Sequence, residues 1–303
     1  MTLLLAVLPM AAQQEPSFAH YWAVEPSFNP AAVGKDPLIN VAGTYAMTLT
    51  GFEHNPRTMY IGGDMPFTLL NSTHGVGLQL MSDQIGLFTH QRLAVQYAYK
   101  HKLLGGMLSV GVQVGLLSEK FKGSELDLEN TSDPVFSTSD ATGTATDLSA
   151  GLYYRHRNWY VGVSILHATA PSVELGDRSI LDLSSAYYLT GGYNIKLRNP
   201  FITIHPSVLA RYDGVGYRAD ITTRVKYTHD KRVLYAGVAY SPTNSVTALI
   251  GGNFHGITLG YSYEVYTSAI SFGNGSHELF VGYQTELDLT KKGRNKHQSV
   301  RYL

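Results

Sequence analysis

The sequence predicts an all-β protein, a transmembrane barrel of about fourteen antiparallel strands. Segments of roughly ten residues alternate apolar and polar positions, and the connectors between them alternate long and short. From Leu108 to Leu116 every even-numbered residue is apolar, and every odd-numbered residue is polar or glycine. Successive side chains of a strand point to opposite faces, so this segment has one apolar and one polar side. The chain has no run of about twenty apolar residues that would predict a transmembrane helix.

The same alternation locates the other strands. Val161, Val163 and Ile165 share one face of their segment, while Gly162 and Ser164 lie on the other. The even number of strands is typical of closed bacterial barrels. The predicted strands are Asn40–Thr50, Thr58–Phe67, His74–Met81, Gln91–Lys100, Met107–Leu117, Asp147–Arg155, Trp159–Leu166, Ala186–Ile195, Ile202–Tyr212, Arg218–Tyr227, Val233–Tyr240, Val246–Phe254, Ile257–Val265 and Ser276–Leu287.

Connector length predicts the orientation of the barrel. The connectors near 118–146, 167–185 and 266–275 are long, and the first of these is rich in Ser, Thr, Asp and Glu. Those near 101–106 and 229–232 are short, and His255 and Gly256 alone join the twelfth and thirteenth strands. Bacterial barrels have short periplasmic turns and longer outer loops, so we expect both chain termini on the periplasmic side.

Composition favours an exported membrane protein. Lys and Arg total 23, as do Asp and Glu, so no net charge favours binding to nucleic acid. The absence of cysteine excludes disulfides and thiolate metal sites. The 21 tyrosines suit membrane–water interfaces, because the ring is apolar and the hydroxyl is polar.

Four regions follow from these patterns. We expect a signal peptide at 1–12, because an apolar run precedes Ala11 and Ala12, although the usual basic start is missing and the apolar core is short. An N-terminal periplasmic or plug segment is predicted at 13–39. The transmembrane barrel is predicted at 40–287, and a basic periplasmic tail at 288–303.

Two segments are predicted to contact partners or to plug the barrel. The N-terminal segment is dense in aromatic residues and proline, whereas flexible leaders usually lack aromatics. The C-terminal tail carries a run of basic residues and ends in an aromatic and apolar pair. The candidate partner-binding residues are Phe18, Tyr21, Trp22, Asn29, Pro30, Lys291, Lys292, Arg294, Lys296, His297, Arg301, Tyr302 and Leu303.

The sequence offers no motif for catalysis, cofactor binding or metal binding. Most of the 12 histidines lie at predicted turns or strand ends, and none forms a His-x-x-x-His pair. No Gly-x-Ser-x-Gly nucleophile motif occurs. An outer-membrane hydrolase would need a Ser and a His to meet at the rim of the barrel, which sequence order cannot exclude. We expect no catalytic, cofactor or metal site.

Six motifs in chain order resemble the PorP/SprF-like outer-membrane proteins of the type IX secretion system of Bacteroidota. The resemblance covers nearly the whole mature chain. Its conservative departures include Glu15 where the family has Asp and Ala19 where it has Ser. The motifs are Gln14–Tyr21 with Asn29–Gly34, Gly75–Gly77 with Asp83–Gly86, Tyr160–Ser164, His205–Ser207, Gly260–Glu264 with Gly275–Leu279, and Ser299–Leu303.

The resemblance implies a non-enzymatic barrel of the secretion or gliding machinery in the outer membrane. Family members associate with periplasmic ring lipoproteins and a peptidoglycan-binding adaptor, and some serve a secreted adhesin with a type B C-terminal signal. The expected role is therefore a docking platform embedded in the membrane. The alternative is a FadL-like transporter of hydrophobic solutes, which would need a continuous path through the lumen.

Overall fold

The fourteen predicted strands are all present and close into one antiparallel barrel. The computed structural model describes residues 15–125, 139–176, 179–214, 216–230, 232–242, 244–267 and 275–286. The strands are β1 Leu38–Met47, β2 Arg57–Leu69, β3 Ser72–Ile85, β4 Phe88–Leu103, β5 Gly106–Phe121, β6 Ala141–Arg155, β7 Trp159–Leu166, β8 Ser172–Leu175, β9 Ser179–Asp182, β10 Ala186–Tyr193, β11 Ile195–Lys196, β12 Ile202–Tyr212, β13 Tyr217–His229, β14 Arg232–Ser241, β15 Ser245–Phe254, β16 Ile257–Tyr266 and β17 Ser276–Glu286.

Most sequential strands pair, and three further ladders complete the barrel. Strand β1 pairs with β17, β7 pairs with β10, and β10 pairs with β12 beside the short β11. A closed barrel leaves no unpaired strand edge, which is the condition for crossing a membrane with strands. Among the described residues, no helix is long and apolar enough to span a membrane.

The predicted eighth strand is interrupted. Gly192 pairs with Ser207 and Ile195 with Ile204, so the break at Tyr193 and Asn194 lies opposite Pro206 and His205. Proline has no amide hydrogen to donate, and the regular ladder therefore stops there and resumes in β11.

Strands β3 to β6 extend further than predicted, and one hairpin was not predicted. The apolar alternation fades before these strands end, but backbone pairing continues without it. Strands β8 and β9 form a separate hairpin inside the long connector after β7. Val173 of this hairpin is fully buried, and a Cβ on Gly143 of β6 would overlap the hairpin at Glu174.

The two faces of the wall follow the sequence alternation. In β5, Val112 is 51% exposed and Leu116 is 55% exposed on the outer face, whereas Gln113 between them is 1% exposed on the inner face. Aromatic side chains ring the outer wall near both ends of the strands, as in other membrane barrels. Near one end lie Tyr99, Trp159, Tyr193, Phe201, Tyr227, Phe254 and Tyr283, and near the other lie Tyr45, Phe88, Tyr187, Tyr212 and Tyr240.

The two ends of the barrel differ in their connectors. At the end that holds the start of β1 and the end of β17, the connectors are tight, as at residues 70–71, 104–105 and 255–256. We name this the turn end. The opposite end, which we name the loop end, holds the long connectors at 122–140 and 167–185, although the connector at 86–87 there is also short. This agrees with the predicted placement of the named long and short connectors.

Replacing outward-facing Val112 by arginine should lower the free energy of unfolding by about 2–4 kcal/mol, because a charge would face lipid near mid-depth. Urea unfolding in lipid vesicles measures this. Thr142→Arg is the matched control, since Thr142 lies near the loop end of β6, where an outward charge costs about 1 kcal/mol or less. Equal losses for the two variants would contradict the assignment of the outer face.

Candidate functional site

The lumen is filled by residues 15–36, which we name the leader. Short 3-10 helices form at Tyr21–Ala23, Glu25–Ser27 and Pro30–Ala32. The leader contributes to every apolar cluster of the described protein. Tyr21 and Phe28 pack on Leu166, Tyr188 and Leu209; Phe18 and Val24 pack on Tyr60, Met81 and Phe280; and Ala31 and Ala32 pack on Tyr153. The core of this protein therefore lies between the leader and the inner wall.

Local sequence explains the third leader helix. Pro30 stands at its first position, where its missing amide hydrogen is not needed. The side chain of Asn29 accepts a hydrogen bond from the Ala31 amide at 2.9 Å, which caps the helix. The same side chain donates to the Leu152 carbonyl at 3.1 Å, which ties the helix to β6.

Glycines in the wall allow the leader backbone to approach it. A Cβ on Gly111 of β5 would overlap the backbone of Ala31, and one on Gly75 of β3 would overlap the Val33 carbonyl. A Cβ on Gly151 of β6 would overlap the Asn29 side chain. These close approaches hold the leader against β3, β5 and β6.

Polar side chains of the wall satisfy the leader backbone. Gln96 donates to the Pro26 carbonyl at 2.6 Å, and Ser164 donates to the Phe28 carbonyl at 2.6 Å. The carboxylate of Glu278 accepts from the amides of Ala19 at 2.6 Å and His20 at 3.0 Å. Buried backbone groups outside regular structure need such partners. Large polar side chains of the wall therefore supply these partners inside the lumen.

An ionic cluster holds the loop-end terminus of the leader. Glu15 lies 2.6 Å from His167 Nε2 and 3.4 Å from Arg92 Nη1, and its backbone carbonyl accepts from Arg211. His167 Nδ1 lies 3.1 Å from an Asp147 oxygen. Burial opposes ionisation of Glu15, but Arg92 and His167 outweigh it and hold the pKa of Glu15 well below its usual range. Burial likewise opposes protonation of His167, but Glu15 and Asp147 raise its pKa to about 9.

A second ionic cluster holds the other terminus of the leader at the turn end. Lys35 Nζ lies 2.5 Å from Glu25, and Asp36 accepts from Arg155 at 2.6 Å. Gly34, which directly precedes Lys35, has a φ of +60°, a backbone conformation that favours glycine. Its amide donates to Asp64 at 2.7 Å. Despite burial, Lys35 and Arg155 hold the pKa of Asp36 below its usual value.

Beside the leader, a cavity of about 570 Å³ extends to the turn end. Trp22 of the leader lines it, and the guanidinium carbon of Arg224 lies 3.8 Å from the centre of the Trp22 ring. Gln284 and Glu286, at the turn end of β17, also line this cavity. A much smaller cavity of about 80 Å³, lined by Glu15 and His167, lies on the loop-end side of the leader.

The exposed charges of the two ends differ in sign. At the turn end, the exposed charged residues that the structure describes are Lys102, Arg157, Lys196, Arg198 and Arg232 against Asp230 and Glu286. At the loop end, they are Glu53, Glu125, Asp140, Glu174 and Asp182 against Arg57, Lys120 and Lys122. The chain is neutral overall, but its turn end is basic and its loop end is acidic.

The predicted partner-binding residues fall into two groups. Phe18, Tyr21, Asn29 and Pro30 are buried between the leader and the wall, and Trp22 is half-buried in the cavity. The candidates between Lys291 and Leu303, like the predicted signal peptide, lie outside the described residues. Within the described ranges, no group of three or more His, Asp or Glu side chains is placed to hold a metal ion.

Sequence reasoning missed the ionic clusters and the close glycines. Arg92 and Asp147 occupy inward positions of their strands, where an isolated charge requires a partner. A charged residue at an inward strand position therefore predicts a buried ion pair in the lumen. No sequence pattern identified Glu15 or His167 as their partners, because these contacts join segments far apart in the chain.

A sequence model of the family described as "Type IX secretion system membrane protein PorP/SprF" matches residues 10–283. The chain belongs to this family. It is therefore an outer-membrane component of type IX secretion, in a family of membrane barrels that is not a known enzyme family. No curated protein matches the sequence.

Solved structures share the barrel. One is a TodX deltaS2S3 mutant monoaromatic hydrocarbon channel, at 11% identity and a TM-score of 0.50, covering 86% of this chain and 93% of that one. Another is a Pseudomonas aeruginosa FadL homologue, at 11% identity and a TM-score of 0.50, covering 85% of this chain and 92% of that one. At these identities the likeness shows the fold alone.

Replacing Gly111 by alanine should displace the leader, because the new Cβ would overlap the Ala31 backbone. Since the chain has no cysteine, Ala31→Cys provides a single thiol, which the docked leader buries completely. We expect maleimide labelling of this thiol to become at least about tenfold faster in Gly111→Ala, as local opening becomes more favourable.

Gly115→Ala is the control for this experiment. Gly115 lies on the same face of the same strand, and the nearest atom to its added Cβ, the Leu93 carbonyl oxygen, is 3.5 Å away. Its labelling rate should match that of the parent. Equal acceleration in both variants would contradict the leader position.

The His167 cluster predicts a pH dependence of stability. Protonated His167 stabilises the docked leader fully below its ordinary pKa of 6.5, and this contribution is lost as pH rises through about 9. The free energy of unfolding should therefore fall by on the order of 2 kcal/mol between pH 6.5 and 9.5. Urea unfolding at both pH values measures the change, and His167→Gln should abolish most of it. An unchanged pH dependence in His167→Gln would refute this role.

Proposed function

We propose that the barrel is a docking platform, and that its basic turn end binds periplasmic components of the type IX machinery. Short turns and both barrel termini lie at this end, and bacterial barrels have short periplasmic turns, which supports a periplasmic position for it. Its described surface carries five exposed basic residues against two acidic ones. A surface of one sign attracts partners of the opposite sign and raises their rate of association. The charge difference between the two ends is the observation that carries the proposal.

The proposed partners are those that family membership suggests. They are a periplasmic ring lipoprotein and a peptidoglycan-binding adaptor, which would contact the turn end and the basic tail at 288–303. The acidic loop end, with its long connectors at 122–140 and 167–185, would face a secreted adhesin carrying a type B C-terminal signal. The leader would contribute by closing the lumen and fixing the shape of the platform.

Transport of hydrophobic solutes is the second candidate, and the FadL-like fold favours it. Against it, the leader separates the 570 Å³ cavity from the smaller loop-end cavity. Ion pairs at both ends of the leader hold it in the lumen, where it blocks the path that a solute would need. Transport would require the leader to leave its position.

Charge reversal at the turn end should abolish docking. In the variant Lys102→Glu, Arg157→Glu, Arg198→Glu, we expect recovery of periplasmic machinery from detergent-solubilised outer membrane to fall at least about tenfold, because the turn end would become acidic. Affinity purification followed by quantitative mass spectrometry measures this. The control Arg57→Glu, Lys120→Glu, Lys122→Glu makes three reversals at the loop end and should leave recovery unchanged.

A deletion of Lys291–Leu303 separates the two proposed contacts. Loss of recovery on deletion alone would move the docking site from the turn end to the tail. Full recovery with both the reversal and the deletion, together with flux of a hydrophobic solute through the barrel in liposomes, would refute docking and favour transport.

A further inference from the structure

Two cations in the turn-end cavity have no anionic partner among the described residues. Arg224 and Lys226 stand two residues apart on β13, on the face that lines the cavity. No described carboxylate lies within 4 Å of either side chain, since neither forms an ion pair in the part of the chain that the structure describes. The Nε of Arg224 is buried and makes no hydrogen bond there.

The other arginines that face the lumen each have an oxygen partner, as buried guanidinium groups require. Arg92 contacts Glu15, Arg155 contacts Asp36, Arg211 donates to the Glu15 carbonyl, and Arg218 contacts Asp220 and Glu264. Two adjacent cations also repel each other, so the wall near Arg224 and Lys226 is stabilised when an anion enters.

Aromatic rings hold Arg224 in place. Its guanidinium lies 3.8 Å over the Trp22 ring, and Tyr235 meets that ring edge-on with centroids 6.5 Å apart. Stacking covers the face of a guanidinium. Its edge carries the N–H donors and remains able to donate hydrogen bonds. The arrangement therefore presents a fixed set of donors beside the Lys226 ammonium.

We propose that Arg224 and Lys226 bind a carboxylate that enters this cavity from the turn end. A guanidinium edge matches the two oxygens of a carboxylate. The volume of about 570 Å³ fits a small dicarboxylate or a few residues of an acidic peptide. The site does not depend on the docking role proposed for the exposed turn-end residues.

The chain contains its own reporter for this site. Of its two tryptophans, Trp159 lies on the outer wall and Trp22 contacts Arg224. In a Trp159→Phe background, Trp22 is the single tryptophan. We would titrate the purified full-length barrel in detergent with glutarate, with a blocked tri-glutamate peptide, and with a blocked tri-glutamine peptide as the uncharged match. Isothermal titration calorimetry on the same samples measures binding without relying on fluorescence.

A saturable response to glutarate or to tri-glutamate, absent with tri-glutamine, supports the site. A response to both acids assigns it to free carboxylates, and a response to tri-glutamate alone assigns it to peptide segments. Lys226→Gln and Arg224→Gln should each weaken binding at least about tenfold. Lys120→Gln, at the loop end, should leave binding unchanged. An absence of heat and of emission change with both acids, an equal response to tri-glutamine, or unchanged binding in both cavity variants would overturn the proposal.

Discussion

The structure depends on one constraint. A barrel of fourteen strands satisfies the hydrogen bonds of its backbone by pairing its first and last strands, but its interior must still be occupied. About eight strands leave an interior that wall side chains can fill. Fourteen strands leave more room, so another segment has to occupy the lumen. The leader does this, and the wall glycines, the inward glutamines and the buried ion pairs are the features that its presence requires.

Ionic contacts at both ends of the leader determine how it could move. The Lys35 and Asp36 contacts adjoin β1, so the covalent chain restrains that end even when they break. Glu15 has no such restraint from the barrel strands. Displacement of the leader would therefore begin at the loop end, where deprotonation of His167 as pH rises through about 9 weakens its contact with Glu15.

The strands were predictable because lipid and lumen impose a period of two on every strand that crosses the membrane. Val112 and Gln113 illustrate this, since neighbours in sequence differ in exposure from 51% to 1%. The extensions of β3 to β6 beyond the membrane carry no such pattern. The break opposite Pro206 could in principle be predicted from the sequence. The contacts of Asn29 with Leu152 and of Glu15 with His167, in contrast, join residues more than a hundred positions apart and leave no local signal. The unpaired cations of the cavity also required the structure, because only the fold shows which charges lack partners.

The leader does not occupy the lumen evenly, and this bears on which side of the barrel can bind a ligand. Its backbone lies against glycines of β3, β5 and β6, where no space remains. The larger cavity is lined by the leader and mainly by residues of β13 to β17, β1 and β2, with single residues of β3, β4 and β12. A ligand could therefore enter the β13 side while the close contacts of the leader with Gly75, Gly111 and Gly151 remained intact. Binding at the turn end then requires no opening of the lumen, which distinguishes a docking barrel from a channel whose plug must be displaced.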